Sequence, residues 1–552
     1  MIVTLKKLMQ DHIIKQVIPT KVVIGVTGHR QLTKIEFVRQ KVREALAHLD
    51  QTLEHTPHTF TIISPLAAGA DQLVAQEILA WHPINSIGAT TLEAILPFSE
   101  KEYLQNIDPD ESKQGFSDLL ERADTVEVLE KMPSHDVAYE QTGHFVVHNC
   151  DILIAIWNED SDEEEEDSEK QGGTGHVVRY ARSVGRSIVL INPNGGTMEI
   201  EQQADLTIKT LKELDDYNGE RVSDITSKEA VETYSMKLDE HARNSGLSLQ
   251  LLGLVKETIL PHFIRADILA QHNQKCHVWA GTIIYGLAAA AVATVTIQAI
   301  LFSKFPEVLW LEVMEISMIL LLLIYSRIKD WHDKWIEYRS LAEHLRVAIF
   351  SSVANVDCQP FGSARYPGQS RRSDDWVGRA FTWLWRSNKR DCSDDLTQLH
   401  PIKDFLLSAW IDDQLNYYTK TSAYNQKLHH LLSRTQEVVF LLTLIVAILH
   451  AVGLGKLGIS GDSTTHDILL VVVIVFPAIG AAIAGIRMHH EYQRNADQYS
   501  SMSRHLSVIR EELIQTDDIE TVRELAEEAR EVMLHEHQQW REVFKFRQLE
   551  AP

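Results

Sequence analysis

At 552 residues the chain is long enough for about two to four domains, and its 44% hydrophobic and 24% charged residues are ordinary for a globular protein. The net charge of −24 excludes a general nucleic-acid surface, which needs a basic face. The four cysteines (Cys150, Cys276, Cys358, Cys392) show no CxxC and no paired spacing, which fits a reducing compartment and offers no metal site.

A mean hydropathy of −0.14 hides segregation, because the apolar residues gather in blocks between Trp279 and Ile486. The N-terminal stretch MIVTLKKLMQDHII lacks the long apolar core of a secretory signal peptide, so the first domain is expected in the cytosol. Lys21–Val26 reads as a buried strand and runs into Thr27-Gly28-His29-Arg30, followed by helical periodicity over Glu36–Leu49. Thr59–Ile63 is a second strand, ending in Ser64-Pro65-Leu66-Ala67-Ala68-Gly69-Ala70-Asp71 and another helix. Leu92–Leu96, ending in Pro97-Phe98, is a third. Thr125–Leu129, Asp151–Trp157 and Ser187–Ile191 complete six strands, with a helix over Val177–Val184. Strands alternating with helices indicate a doubly wound parallel sheet, in which ligands sit beyond the carboxyl ends of the strands.

The glycine motifs fall at those ends: Gly28, Ala68-Gly69-Ala70 and Gly172-Gly173-Thr174-Gly175. Glycine lets backbone amides approach an anion, and a helix N-terminus adds partial positive charge. His29 and Arg30 add side-chain donors suited to phosphate. Asp71 fits either a ribose-hydroxyl acceptor or a helix-stabilising charge. His176 reads as a phosphate-side donor rather than a general base, Trp157 as a base-stacking or a core residue, and Tyr139 and Glu140 as outlying pocket candidates.

Gly28-His29-Arg30, Ser64 to Asp71 and Gly172 to Gly175 resemble the SLOG superfamily of Rossmann-like domains, over about residues 20–195. That superfamily includes the DprA and cytokinin-activating LOG proteins, and the ADP-ribose-sensing N-terminal region of the melastatin TRP channels is a relative. The resemblance implies nucleotide binding. LOG phosphoribohydrolases carry a glutamate soon after the glycine loop. Here that stretch reads His176-Val177-Val178-Arg179-Tyr180, without a carboxylate, which counts against hydrolysis.

Between the fifth strand and the glycine loop, Glu159–Glu169 holds nine acids. Such a run reads as a solvated loop, or as an element that repels anions or recruits cations at the pocket border. Residues 199–272, with helical patterns over Ala204–Leu214 and Lys228–Arg243, are expected to couple the pocket to the apolar segments beyond them.

Trp279–Phe302 is apolar, uncharged and long enough to cross roughly 30 Å of hydrocarbon at about 1.5 Å per residue. Val308–Tyr325 comes after the turn Ser303–Glu307, and a second hairpin pairs Val438–Val452 with Ile468–Ile486. Lys275, Arg327, Lys329, Lys334, Lys427, Arg434, Arg487 and Arg494 flank the inner ends. The outer turns carry only Lys304 and Lys456, so both termini are expected on the cytosolic face of the plasma (inner) membrane. Glu312 and Glu315, three apart on the second span, suggest either a water-filled path or the outer headgroup zone. Gly480, Ala481, Ala484 and Gly485, and Gly286 with Ala290, allow close helix approach. Asp357–Arg390, with Trp376, Trp383 and Trp385, reads as a membrane-surface segment or a connecting subdomain.

The hairpins read as copies. His272-Asn273-Gln274-Lys275 parallels Tyr424-Asn425-Gln426-Lys427, and Tyr338…His344-Leu345 repeats the spacing of Tyr499…His505-Leu506. The run Trp335-Ile336-Glu337-Tyr338-Arg339 to Ala342-Glu343-His344-Leu345-Arg346, and Gln414-Leu415-Asn416-Tyr417-Tyr418, resemble the SLATT domain, over about 260–350 and 405–545. The second copy departs by lacking the Ala-Glu pair. The resemblance implies a membrane effector, thought to form pores, of prokaryotic nucleotide-signalled conflict systems. A helix over about Asp518–Phe546, rich in Glu and Arg, is expected to pack on cytosolic helices.

The expected fold class is therefore a Rossmann-like doubly wound α/β sheet followed by an all-α four-helix transmembrane domain of two two-span repeats. Expected boundaries are 1–198 for the Rossmann domain, 199–272 coupling, 273–350 first repeat, 351–404 connection and 405–552 second repeat. The expected function is a nucleotide-sensing membrane effector, and the alternatives are a membrane-anchored nucleotide hydrolase and a ligand-free scaffold. The expected ligand is NAD-derived (ADP-ribose, for example) or an oligonucleotide second messenger. Contact with membrane lipid and self-association as a homo-oligomer are expected, with no nucleic-acid polymer, no metal and no further cofactor.

Overall fold

The computed structural model describes residues 16–158, 173–356, 375–388, 399–452 and 463–544, apart from Thr33, 108–109, Lys131 and 202–203. Gly172, the acidic run 159–169, Lys456, Cys358 and Cys392 lie outside the described residues. The chain divides into two compact units, one of Met1–Arg221 with Gln359–Lys389, the other of Val222–Cys358 with Arg390–Pro552.

The first unit runs β1 (Thr20–Gly28), α1 (Ile35–Thr52), β2 (His58–Ser64), α2 (Ala70–Ala80), β3 (Thr91–Leu96), α3 (Glu100–Gln105), α4 (Asp110–Glu121), β4 (Thr125–Val128), α5 (His135–Asn149), β5 (Ile152–Ile156), α6 (Thr174–Ser183), β6 (Ser187–Asn192), β7 (Thr197–Ile200) and α7 (Ala204–Gly219). The strands form one sheet in the order β4-β3-β2-β1-β5-β6-β7. All neighbours are parallel except β7, which runs antiparallel to β6. This edge strand adds a seventh to the six expected.

Successive side chains along each strand point to opposite faces, and both faces of the sheet are covered by helices. Val22, Ile24 and Val26 pack to one side with α1, α2, α4 and α7, while Val23, Leu153 and Ala155 pack to the other with α5 and α6. α7 belongs to this unit, with Leu211, Leu214 and Tyr217 fully buried, so the sheet's domain extends past the expected boundary at residue 198.

The second unit begins with α8 (Asp224–Ser245), α9 (Leu249–Thr258) and α10 (Leu260–Ile300), the last about 60 Å long at 1.5 Å per residue. A 3₁₀ turn (Pro306–Val308) leads to α11 (Leu309–Lys329) and α12 (Trp331–Ala354).

The chain then returns to the first unit as α13 (Trp376–Ser387), started by Asp375, whose carboxylate accepts the Gly378 amide at 2.7 Å. The helix turns Trp376, Phe381 and Leu384 inward. Trp376 packs on Tyr217 at 5.0 Å between ring centroids. Arg379 donates to Asp151 at 2.5 Å, and Asp151 also accepts the Val23 amide at 2.7 Å. The apolar stripe of α13 is therefore spent on protein, which favours the connecting-subdomain reading for residues 375–388, while the rest of 357–390 lies outside the described residues.

The second unit resumes with α14 (Leu399–Leu406), a π turn (Leu407–Ile411), α15 (Asp412–Ala451), α16 (Ser463–His489), α17 (Tyr492–Gln515) and α18 (Ile519–Phe544). α18 packs on α12 and α17.

Among the described residues four helices are long and apolar enough to cross a membrane, contributed by α10, α11, α15 and α16. Their apolar windows are 17%, 17%, 0% and 6% buried, so most of that surface faces away from the chain itself. Within the first hairpin Ile284, Ile319 and Leu323 form the contact. The first and fourth spans meet where Gly485 lies against the Tyr285 ring and Gly281 against His489. Gly480 packs on Phe440. Gly286 meets nothing within 4 Å, so the close approach expected there is made through Gly281 instead.

Candidate functional site

In the strand order, β1 is flanked by β2 and β5, and the crossovers change direction between β1 and β5. This is the switch point, where a crevice opens beyond the carboxyl ends. Thr27 and Gly28 end β1, Ser64 ends β2, Pro97 follows β3 and Trp157 follows β5, so the sheet brings these positions to one edge.

Two loops interlock there. A Cβ on Gly28 would meet that of Ala70 at 2.4 Å, and one on Gly69 would meet the Arg30 carbonyl oxygen at 2.3 Å. Gly69 has φ +83°, which glycine adopts without strain. The Ala70 amide donates to the His29 carbonyl at 3.1 Å, tying the loops together.

Asp71 is nearly fully buried, accepts the Ala67 amide at 3.2 Å and hydrogen-bonds Ser64. Burial raises its pKa to about 7, against the opposing Ala67 amide, Arg30 charge and Ser64. Its carboxyl hydrogen-bonds within its own loop, at the first turn of α2.

The two helix N-termini differ. At α2 the first amide is taken by His29 and the first turn holds Asp71. At α6 the cap residue is Gly173, no side chain caps the end, and the first turn has no acid. Among the described residues, Thr174, Gly175 and His176 form a helix amino end without a side-chain cap, the kind of end that favours an anion.

Arg30 is exposed and stands over the Tyr139 ring, 5.4 Å from its centroid. Tyr139 makes an edge contact with Phe98, which also packs on His135 at 4.3 Å. This aromatic wall from β3 and α5 was only marginally visible in sequence. Trp157 is 5% exposed and packs in the core under Arg182, so its ring does not offer a stacking face.

His176 does not stand alone at its helix end: its Nε2 lies 3.1 Å from Glu140 Oε1. Glu140, His144 and His176 bring ligand-type atoms within 4.8 Å of one another. Tyr180 stacks on His144 at 3.6 Å and its hydroxyl pairs with His148 Nε2 at 2.6 Å. Burial lowers the His144 pKa.

In the second unit Glu312 is half-exposed, while Glu315 is buried with Thr294 Oγ1 donating to it at 3.3 Å. The two do not share one environment, because Glu315 turns into the hairpin contact.

Comparison with known proteins finds no match among curated proteins. Residues 407–540 match the family described as SMODS and SLOG-associating 2TM effector domain 1. The match covers the second hairpin and the helices flanking it, the copy that lacks the Ala-Glu pair, so that departure does not remove it from the pattern. The second membrane repeat is thus similar to a two-transmembrane effector domain.

Proposed function

We propose that the chain is a ligand-gated membrane effector. Its α/β unit takes a nucleotide-derived anion at the β1/β5 crevice, and binding opens or assembles a pore from the membrane helices. The convergence of the Gly28–Arg30 loop, the Gly69 loop and the uncapped end of α6 at one switch point carries this reading. The match of residues 407–540 to an effector domain supports the output, with antiviral defence as its setting by that likeness. Basic residues at the inner span ends favour cytosolic termini. Exposed apolar faces on all four spans favour assembly of several copies. A ligand shifts the gate only by binding its two states unequally.

The test is a thermal-shift screen of the detergent-purified protein with NAD, ADP-ribose, cyclic ADP-ribose isomers and cyclic oligonucleotides. A ligand at about 100 times its Kd adds roughly 2.7 kcal/mol. A shift that Arg30→Ala abolishes, followed by ligand-dependent liposome flux, is the expected result. Loss of neither with Arg30→Ala would overturn the placement of the site. Glu140 beside His176 favours one second reading, a nucleotide hydrolase, which would be marked by product formation that Glu140→Gln abolishes.

A further inference from the structure

Glu140 and His144 lie four apart on α5, so they share one face of that helix. His176 reaches the same place from the first turn of α6. The two helices approach closely because Gly143 leaves room for Val177, whose Cγ2 would lie 2.5 Å from a Cβ there. Val177 adjoins His176, so this contact sets where the imidazole stands.

The three side chains form two imidazoles and one carboxylate, the donor set that suits a borderline divalent transition metal. In a tetrahedral site with bonds of about 2.0–2.1 Å, ligand atoms stand about 3.3 Å apart. The Glu140–His176 edge is already 3.1 Å, and all three ligand atoms lie within 4.8 Å of one another, near that spacing. His144 Nε2 is buried and makes no hydrogen bond to any described residue, and a buried polar nitrogen without a partner calls for one. Tyr180 fixes the plane of that ring by stacking, and is itself held by His148.

We propose that Glu140, His144 and His176 form a binding site for a divalent transition metal of the Zn²⁺ class. Three protein ligands leave a fourth position for water or an anion. These residues would hold the ion whether or not the neighbouring crevice takes a nucleotide.

The test uses full-length, untagged protein in detergent, stripped with chelator and titrated with Zn²⁺ alone against a chromogenic competitor. Loss of an outer-shell partner alone weakens metal sites about 10–100-fold, so loss of a direct ligand is expected to weaken this one by at least about tenfold. His144→Ala, His176→Ala and Glu140→Gln should each do so, while His82→Ala, at an exposed histidine outside the cluster, should not. Cobalt substitution should give visible bands of a tetrahedral site in the wild type, lost in Glu140→Gln, whose apo stability checks that the fold is intact. Zn²⁺ uptake equal in wild type and all three ligand variants would overturn the proposal, as would no uptake by the wild type. Neither outcome bears on the nucleotide screen, which is read without metal.

Discussion

The Cβ of Ala70 stands where a Cβ on Gly28 would come within 2.4 Å of it, with Ile156 Cβ at 2.9 Å on the other side. The end of β1 is thereby clamped between α2 and β5. Overpacking of this kind costs about 1–3 kcal/mol. Gly28→Ala should lower the thermal stability of the protein by that order and abolish the ligand-induced shift. Gly286→Ala, at a site with nothing within 4 Å, should leave both unchanged. Equal behaviour of the two variants would contradict the clamp.

Asp71 makes a pH prediction with a definite sign. Its carboxyl titrates near 7 in the folded protein against 3.8 ordinarily. Between those values the folded state holds a proton that the unfolded chain has lost. Its contribution to stability is therefore full below about pH 4 and falls as pH rises to about 7. Asp71→Asn should flatten that slope and be more stable than wild type above pH 7. Melting curves of both proteins across pH 4–8 decide it, and parallel curves would refute the assignment.

Arg379 and Asp151 make a buried pair, 12% and 0% exposed at the side chain. Removing one partner from such a pair strands a buried charge, at a cost of about 3–5 kcal/mol, whereas replacing both is often near neutral. Arg379→Ala should destabilise the first unit by about that amount, and Arg379→Met with Asp151→Asn should recover much of it. The asparagine keeps the acceptor for Val23. Denaturant unfolding followed by the fluorescence of Trp157 and Trp376 reads the difference. A loss below about 1 kcal/mol for the single variant would class the pair with exposed ones.

Glu315 lies inside a candidate membrane helix with Thr294 as hydrogen-bond donor to one oxygen, while the other is buried with no donor among the described residues. Charge at that depth is costly and points to function. Glu315→Leu should raise the melting temperature and lower ligand-dependent liposome flux. A higher melting temperature with unchanged flux would make it a packing residue away from the ion path.

Much of this architecture is legible in the residues, and the omissions have physical causes. The central strands are continuous β-branched runs and the spans are long uncharged stretches, signals that survive without tertiary context. β7 is four residues of an exposed edge, Thr-Met-Glu-Ile, with no run to detect. α13 carries Trp376, Val377, Ala380, Phe381 and Leu384 on one face, which a membrane surface or a protein core would satisfy equally. Only its distant partners Tyr217 and Asp151 decide. Glu140 and His144 share a helix face in sequence, but His176 joins them through a contact between Gly143 and Val177 that no spacing announces.

The helix that completes the α/β unit is made late. On a ribosome working at about 5–20 residues per second, Arg379 follows Asp151 by roughly 10 to 45 s. The first hairpin is synthesised within that interval and becomes available for insertion before Asp151 can meet its cation. The sheet must therefore persist through early biogenesis with a carboxylate awaiting its guanidinium and Tyr217 awaiting Trp376. Completion of the first unit is timed by the second: the α/β unit gains its last helix only after two of the four candidate membrane helices have been synthesised.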